Sequence, residues 1–163
     1  MGIPYSADEI FEMAEQIERN GAKFYRKAAE TAQRAEAREH FSQLAKMEDG
    51  HEALFASIRA QLPAEAAQPS IFDPYGESAL YLQAAADTHI FNVHKDITQI
   101  LTGKETPTEV LMIAISFEKD TIAFFLGMRD AVPESLGKKD MEELIKQEMG
   151  HVSELTAQMS ALS

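Results

Sequence analysis

At 163 residues the chain is long enough to bury a substantial core and is expected to form one domain, 1–163. Its net charge of −12 argues against nucleic acid and anionic membrane surfaces as partners. The absence of cysteine excludes a disulfide framework, thiolate zinc sites, iron–sulfur clusters and thiol nucleophiles within the chain.

The N-terminus, MGIPYSADEI, carries no basic segment followed by an apolar one, so no secretory leader is expected and the cytoplasm is the favoured location. Ser6-x-x-Glu9 reads as a capping box, and Ile10, Ala14, Ile17, Gly21, Phe24 and Ala28 then recur at helical spacing. These predict a first helix over about 6–31. Phe41, Leu44, Ala45, Phe55 and Ile58 predict a second over about 35–61, with neither Gly nor Pro to mark the turn between them. Pro63, Pro69, Pro74 and Gly76 break any helix there, and a further helical stretch follows over about 78–101, with an interruption expected near Asn92 and Gly103 closing it. Thr106-Pro107-Thr108-Glu109 is a second capping box with Pro in the first turn, opening a helix over about 107–130. Pro133 and Gly137 mark the next turn, and a last helix runs over about 137–159. No strand pattern occurs, so the chain is expected to be all-α. The longest apolar run, around Val110 to Phe117, falls well short of the ~20 residues that span a bilayer.

Subtracting 100 from Glu118, Glu148 and His151 gives Glu18, Glu48 and His51. Phe124 and Phe125 likewise fall opposite Phe24 and Tyr25. Each half therefore carries a Glu and, thirty residues later, a Glu-x-x-His. Glu18 and Glu48 straddle position 33, while Glu118 and Glu148 straddle Pro133. Fifteen residues at helical rise put both pairs roughly 22 Å from their turns, at one level in mid-bundle.

The faces agree with the heights. Glu18 continues the row Phe11, Ala14, Gly21, Tyr25, and Glu118 the row Leu111, Ala114, Thr121, Phe125. Glu48 with His51, and Glu148 with His151, continue the apolar rows of their own helices. Residues three apart share a face, so each Glu-x-x-His pair can reach one ion. Burying four carboxylates uncompensated would cost several kcal/mol per ion. Two divalent cations would balance them in formal charge. Oxygen and imidazole donors without sulfur suit Fe, Mn or Zn. One Glu-x-x-His arises readily by chance on a helix; two copies, two partner Glu residues and equal spacing on apolar faces do not.

These residues resemble the rubrerythrin-like branch of the ferritin-like di-iron superfamily. The resemblance rests on Glu18 to Tyr25 and Glu118 to Phe125, and on Leu44-Ala45-x-x-Glu48-x-x-His51 and Ile145-x-x-Glu148-x-x-His151. It implies a ferritin-like four-helix bundle running up-down-down-up, in which the second connection crosses the full bundle length. About 44 residues separate the second and third bundle helices, whereas a helical hairpin needs about 2–8. The resemblance also implies that Glu48 and Glu148 bridge two metal ions, most often iron, with Glu18 and Glu118 terminal. His51 and His151 would each complete one ion, and Tyr25 would sit just outside the ligands.

The implied activity is reaction with peroxide or dioxygen in oxidative-stress defence, using an external electron donor, and a homodimer is compatible with it. Two departures stand out. Typical rubrerythrins carry Cys-x-x-Cys pairs, absent here, and an extra Glu one turn after the third-helix ligand, where this chain has Thr121. A ferroxidase-type protein of iron handling and a non-catalytic helical interaction module are the competing functions.

Other residues have bland readings beside functional ones. His40 is expected at the surface. His89 and His94 are either accessory ligands or structural. Tyr25 is either a donor to a ligand carboxylate or a core aromatic. Gly50 and Gly150, inside the two Glu-x-x-His motifs, suggest close helix packing or inheritance from a duplicated ancestor.

Overall fold

The computed structural model describes residues 5–64, 77–88, 99–131, 135 and 137–162. Five α-helices follow in order: α1 (Ala7–Thr31), α2 (Ala35–Ala60), α3 (Glu77–Thr88), α4 (Pro107–Ala131) and α5 (Lys138–Ala161). There is no strand among the described residues.

Both capping boxes form. Ser6 Oγ accepts from the Glu9 amide at 3.2 Å while the Glu9 carboxylate accepts from the Ser6 amide at 2.8 Å. Thr106 and Glu109 repeat the exchange at 3.2 and 2.7 Å, satisfying amides that the first helical turn leaves without partners. The turn between α1 and α2 is built without such help, since Arg34 precedes α2 with no side-chain cap. Gly137, at φ +87°, enters α5 in the left-handed region that glycine tolerates best.

The described part of the crossover helix is α3, Glu77–Thr88, and residues 99–101 are not α-helical, so the α-helix does not reach Leu101. Its last part is a loop for a physical reason: Glu105 accepts from the amides of Thr102 and Gly103 at 2.9 Å each, and Gly103 has φ +82°. The expected interruption at Asn92, together with His89, His94 and Pro133, lies outside the described residues.

Helix directions follow from what meets at each end. An apolar cavity of about 340 Å³ at one end is lined by Ala28 and Thr31 of α1, Phe41 of α2, Leu111 of α4 and Gln158 of α5. The C-terminal ends of α1 and α5 thus meet the N-terminal ends of α2 and α4, which is up-down-down-up. At the other end Arg59 of α2 pairs with Asp8 of α1 at 2.7 Å. The connection from α2 to α4 must traverse the bundle. Its described helix lies against α4, where Tyr81 donates to the Ala123 carbonyl at 2.8 Å and its ring packs close over Gly127.

The hundred-residue offset extends to burial. α2 buries Phe41, Leu44, Ala45, Glu48, His51 and Phe55, and α5 buries Met141, Leu144, Ile145, Glu148, His151 and Leu155. On α1 and α4 every position that α4 buries from Val110 through Met128 is buried on α1 as well, where Asn20 and Ala22 are buried in addition. The core is therefore two copies of one helical hairpin facing each other across an approximate two-fold axis, and the fold is ferritin-like. No described helix is long and apolar enough to cross a membrane.

Candidate metal centre

The four helices carry Glu18, Glu48, Glu118 and Glu148 into the middle of this core, each with 0% of its surface exposed. His51 and His151 are 6% and 2% exposed and stack at 6.0 Å between ring centres. Glu18, Glu48, His51 and Glu148 form one group whose donor atoms lie within 4.8 Å of one another. Glu48, Glu118, Glu148 and His151 form the second. Glu48 and Glu148 belong to both.

Glu148 turns one oxygen to each imidazole: Oε1 lies 2.8 Å from His51 Nδ1 and Oε2 lies 2.8 Å from His151 Nδ1. His51 Nδ1 is also 3.3 Å from Glu18, and His151 Nδ1 is 3.5 Å from Glu118. These approaches are close, but their angles are not those of hydrogen bonds. Both oxygens of Glu18, Glu48 and Glu148, one of Glu118 and both Nδ1 atoms remain buried without a hydrogen-bond partner. Buried polar atoms normally find partners. Here they crowd into two groups, the donor atoms of each within 4.8 Å of one another, which is an arrangement that could hold cations.

Electrostatics reflects the crowding. Burial pushes the Glu48 carboxyl well above its ordinary range, and the facing charges of Glu148, Glu18 and Glu118 push it further. Glu18 rises by burial and by Glu148. Glu118 rises by burial to about 8, against the opposing pull of His151. Glu148 behaves oppositely: burial acts to raise it, but the two imidazoles it faces hold it down to about 2. Burial would lower both histidines, yet Glu148 and Glu18 lift His51 to about 11. Glu118 and Glu148 similarly lift His151 to about 10. Without cations the centre therefore holds protons in their place.

Tyr25 fills both roles open to it. It is fully buried, stacks on Phe41 at 6.2 Å, and donates its hydroxyl to Glu118 Oε1. Its counterpart in the other half is Phe125, which has no hydroxyl to offer Glu18. Thr121 is fully buried at the place that matches Gly21.

Three features are not visible in spacing alone. Gln147 Oε1 lies 3.1 Å from His51 Nε2 and orients that ring from α5. Gly21 is required by its neighbours: a Cβ there would come within 2.5 Å of the Phe117 ring and 2.9 Å of Glu48 Oε2. The Gln147 signal was weak, being one polar residue beside a ligand, but its counterpart Met47 marks a break in the repeat. His40 is the third. It is half-buried rather than at the surface, with Nε2 buried and its ring 6.1 Å from Phe41.

Gly50 and Gly150 also depart from expectation. A Cβ at either would meet nothing within 4 Å, so close helix packing does not explain them. Gly50 instead borders a groove of about 390 Å³ between α2 and α5, with Met47, Leu54, Leu144 and Gln147, and His51 lies in its wall.

The fold and this donor set define a class: a ferritin-like bundle whose two hairpins together offer the ligands for two metal ions. No protein-family model matches the sequence, and no curated protein matches it significantly. Among solved structures, the chain is similar to a Thermotoga maritima protein described as a ferritin-like diiron-carboxylate protein. The two share 26% identity over 97% of each chain, with a TM-score of 0.77.

Proposed function

We propose that this chain is a non-haem di-metal carboxylate protein, with iron as the metal and rubrerythrin-like reactivity toward peroxide or dioxygen in oxidative-stress defence in the cytoplasm. The carrying observation is the crowding of buried, unpartnered carboxylate oxygens and Nδ1 atoms into two groups. The Thermotoga protein's description as diiron-carboxylate supports the same reading.

Glu48 and Glu148 would hold both ions, with Glu18 and His51 completing one and Glu118 and His151 the other. When bound in the reduced state, such a pair supplies the two electrons that peroxide needs to become water, and an external donor restores them. The chain contributes the rest. Oxygen and imidazole donors without sulfur favour iron, manganese or zinc over soft ions. Phe24, Phe117, Phe124 and Phe125 are buried in the surrounding core and keep bulk water from it. Tyr25 keeps a proton at Glu118 Oε1, where it orients the carboxylate and can pass to a basic oxygen.

Thr121 favours a second reading. A buried hydroxyl stands where rubrerythrins have an additional carboxylate, which suits iron binding and Fe(II) oxidation without that ligand. Stopped-flow oxidation of the di-ferrous protein separates the two. A strong preference for peroxide over dioxygen is the expected result, and the reverse preference assigns the protein to iron handling. Protein from iron-supplemented cells with far fewer than two ions per chain would remove both.

A further inference from the structure

The approximate two-fold axis is broken at the positions that orient the histidines. His51 Nε2 has Gln147 Oε1 at 3.1 Å, whereas His151 Nε2 is buried with no hydrogen-bond partner. The residue related to Gln147 by the repeat is Met47, which has no oxygen to offer.

An imidazole that ligates through Nδ1 must carry its remaining proton on Nε2. In His51 the Gln147 oxygen, 3.1 Å away, can accept that proton and so would hold the ring with Nδ1 turned to the centre when an ion binds. In His151 the same tautomer places an N–H in a buried position without an acceptor, which is unfavourable. Both Nδ1 atoms lie 2.8 Å from Glu148, so the two rings differ at Nε2, where only His51 has an acceptor to hold it in place.

The carboxylates are also unequal. Tyr25 occupies Oε1 of Glu118, while both oxygens of Glu18 are unengaged. A hydrogen bond from Tyr25 draws electron density from Glu118 and weakens it as a donor. Both differences act in one direction. The groove beside His51 gives that half an approach for an ion.

We propose that the two half-sites load unequally: Gln147 positions His51 so that the Glu18–His51 half takes the first divalent cation and the Glu118–His151 half the second. This rests on the two-ion reading and specifies its order.

Gln147 is exposed on α5, so its replacement leaves the core intact, which circular dichroism checks. The probe is Co(II), followed by calorimetry and by anomalous scattering from crystals grown with one equivalent per chain. Wild-type crystals are expected to show Co(II) density at Glu18–His51 several-fold above that at Glu118–His151. Gln147→Met, which copies the other half, should weaken the first binding step by about 10–100-fold and even out the two occupancies. Gln147→Glu retains an acceptor and should restore the order. Equal occupancy in the wild type, or an order unchanged by Gln147→Met, overturns the proposal while leaving two bound ions intact. A wild type that binds no Co(II) even in excess fails differently, removing the two-ion reading and this order with it.

Discussion

Tyr25 reaches from α1 to α4 and donates its hydroxyl to Glu118, a carboxylate ninety-three positions away that shares its burial. Tyr25→Phe keeps the ring and its stacking on Phe41 but removes this donor. The metal-free variant is expected to lose about 1–2 kcal/mol, a typical value for one buried hydrogen bond, read as a shift in the urea midpoint. Its helical content should be unchanged. No shift would mean that the Tyr25 hydroxyl does not hold Glu118.

Gly21, Gly50 and Gly150 all lie inside helices, where Ala is normally favoured by about 1 kcal/mol. The structure assigns them opposite signs. Gly21→Ala places a methyl 2.5 Å from Phe117 and 2.9 Å from Glu48, so it should destabilise by about 1–3 kcal/mol and displace a metal-facing carboxylate. Gly50→Ala and Gly150→Ala meet open space and should stabilise by about 0.5–1 kcal/mol. Thermal melts of the three variants check the contrast. Equal effects would contradict it.

Much of this was legible in the chain because the relevant spacing is periodic. Glu18, Glu48, His51 and their counterparts keep helical phase with the apolar rows and equal distance from the turns, so their convergence follows from helix geometry. The crossing connection follows from its length. Gln147, the Gly21–Phe117 contact and the half-buried His40 depend on how one helix sits against another, which a single helix's periodicity does not encode. Gly50 and Gly150 show the same limit from the other side: matching positions suggested tight packing, yet both face open space.

Charge repulsion at the centre makes a separate expectation for Glu48. Burial and three neighbouring carboxylates raise its pKa, so the charged form is disfavoured in the metal-free protein. Glu48→Gln should therefore be no less stable than the parent in chelator, yet lose the rise in melting temperature that divalent metal produces. Calorimetric melts with and without metal read both quantities. A variant that keeps the full metal-induced rise would show that Glu48 is not shared between two ions.

The same shifts fix the sign of the pH dependence. In the metal-free fold Glu118 titrates at about 8, against an ordinary carboxyl near 4.5, so its contribution to stability falls as pH rises through that interval. His51 and His151, lifted to about 11 and about 10 from 6.5, contribute fully below 6.5 and lose that contribution as pH rises through 10 to 11. Glu148, held at about 2, acts in reverse and loses its contribution only as pH falls below 4.5. Metal-free stability should therefore decline from about pH 5 upward. Cations replace these protons, so metal affinity should climb over the same range. Melts from pH 5 to 9 are expected to show a metal-induced stabilisation that grows with pH; one that shrinks would contradict the assignment of these groups as ligands.

The two-ion centre is tested most directly by anomalous scattering at the iron edge, on crystals of protein purified from iron-supplemented cells. Two iron peaks are expected, both flanked by Glu48 and Glu148, one beside Glu18 and His51 and the other beside Glu118 and His151. An absence of iron density among these six residues, or iron held by other side chains, would contradict the two-ion centre.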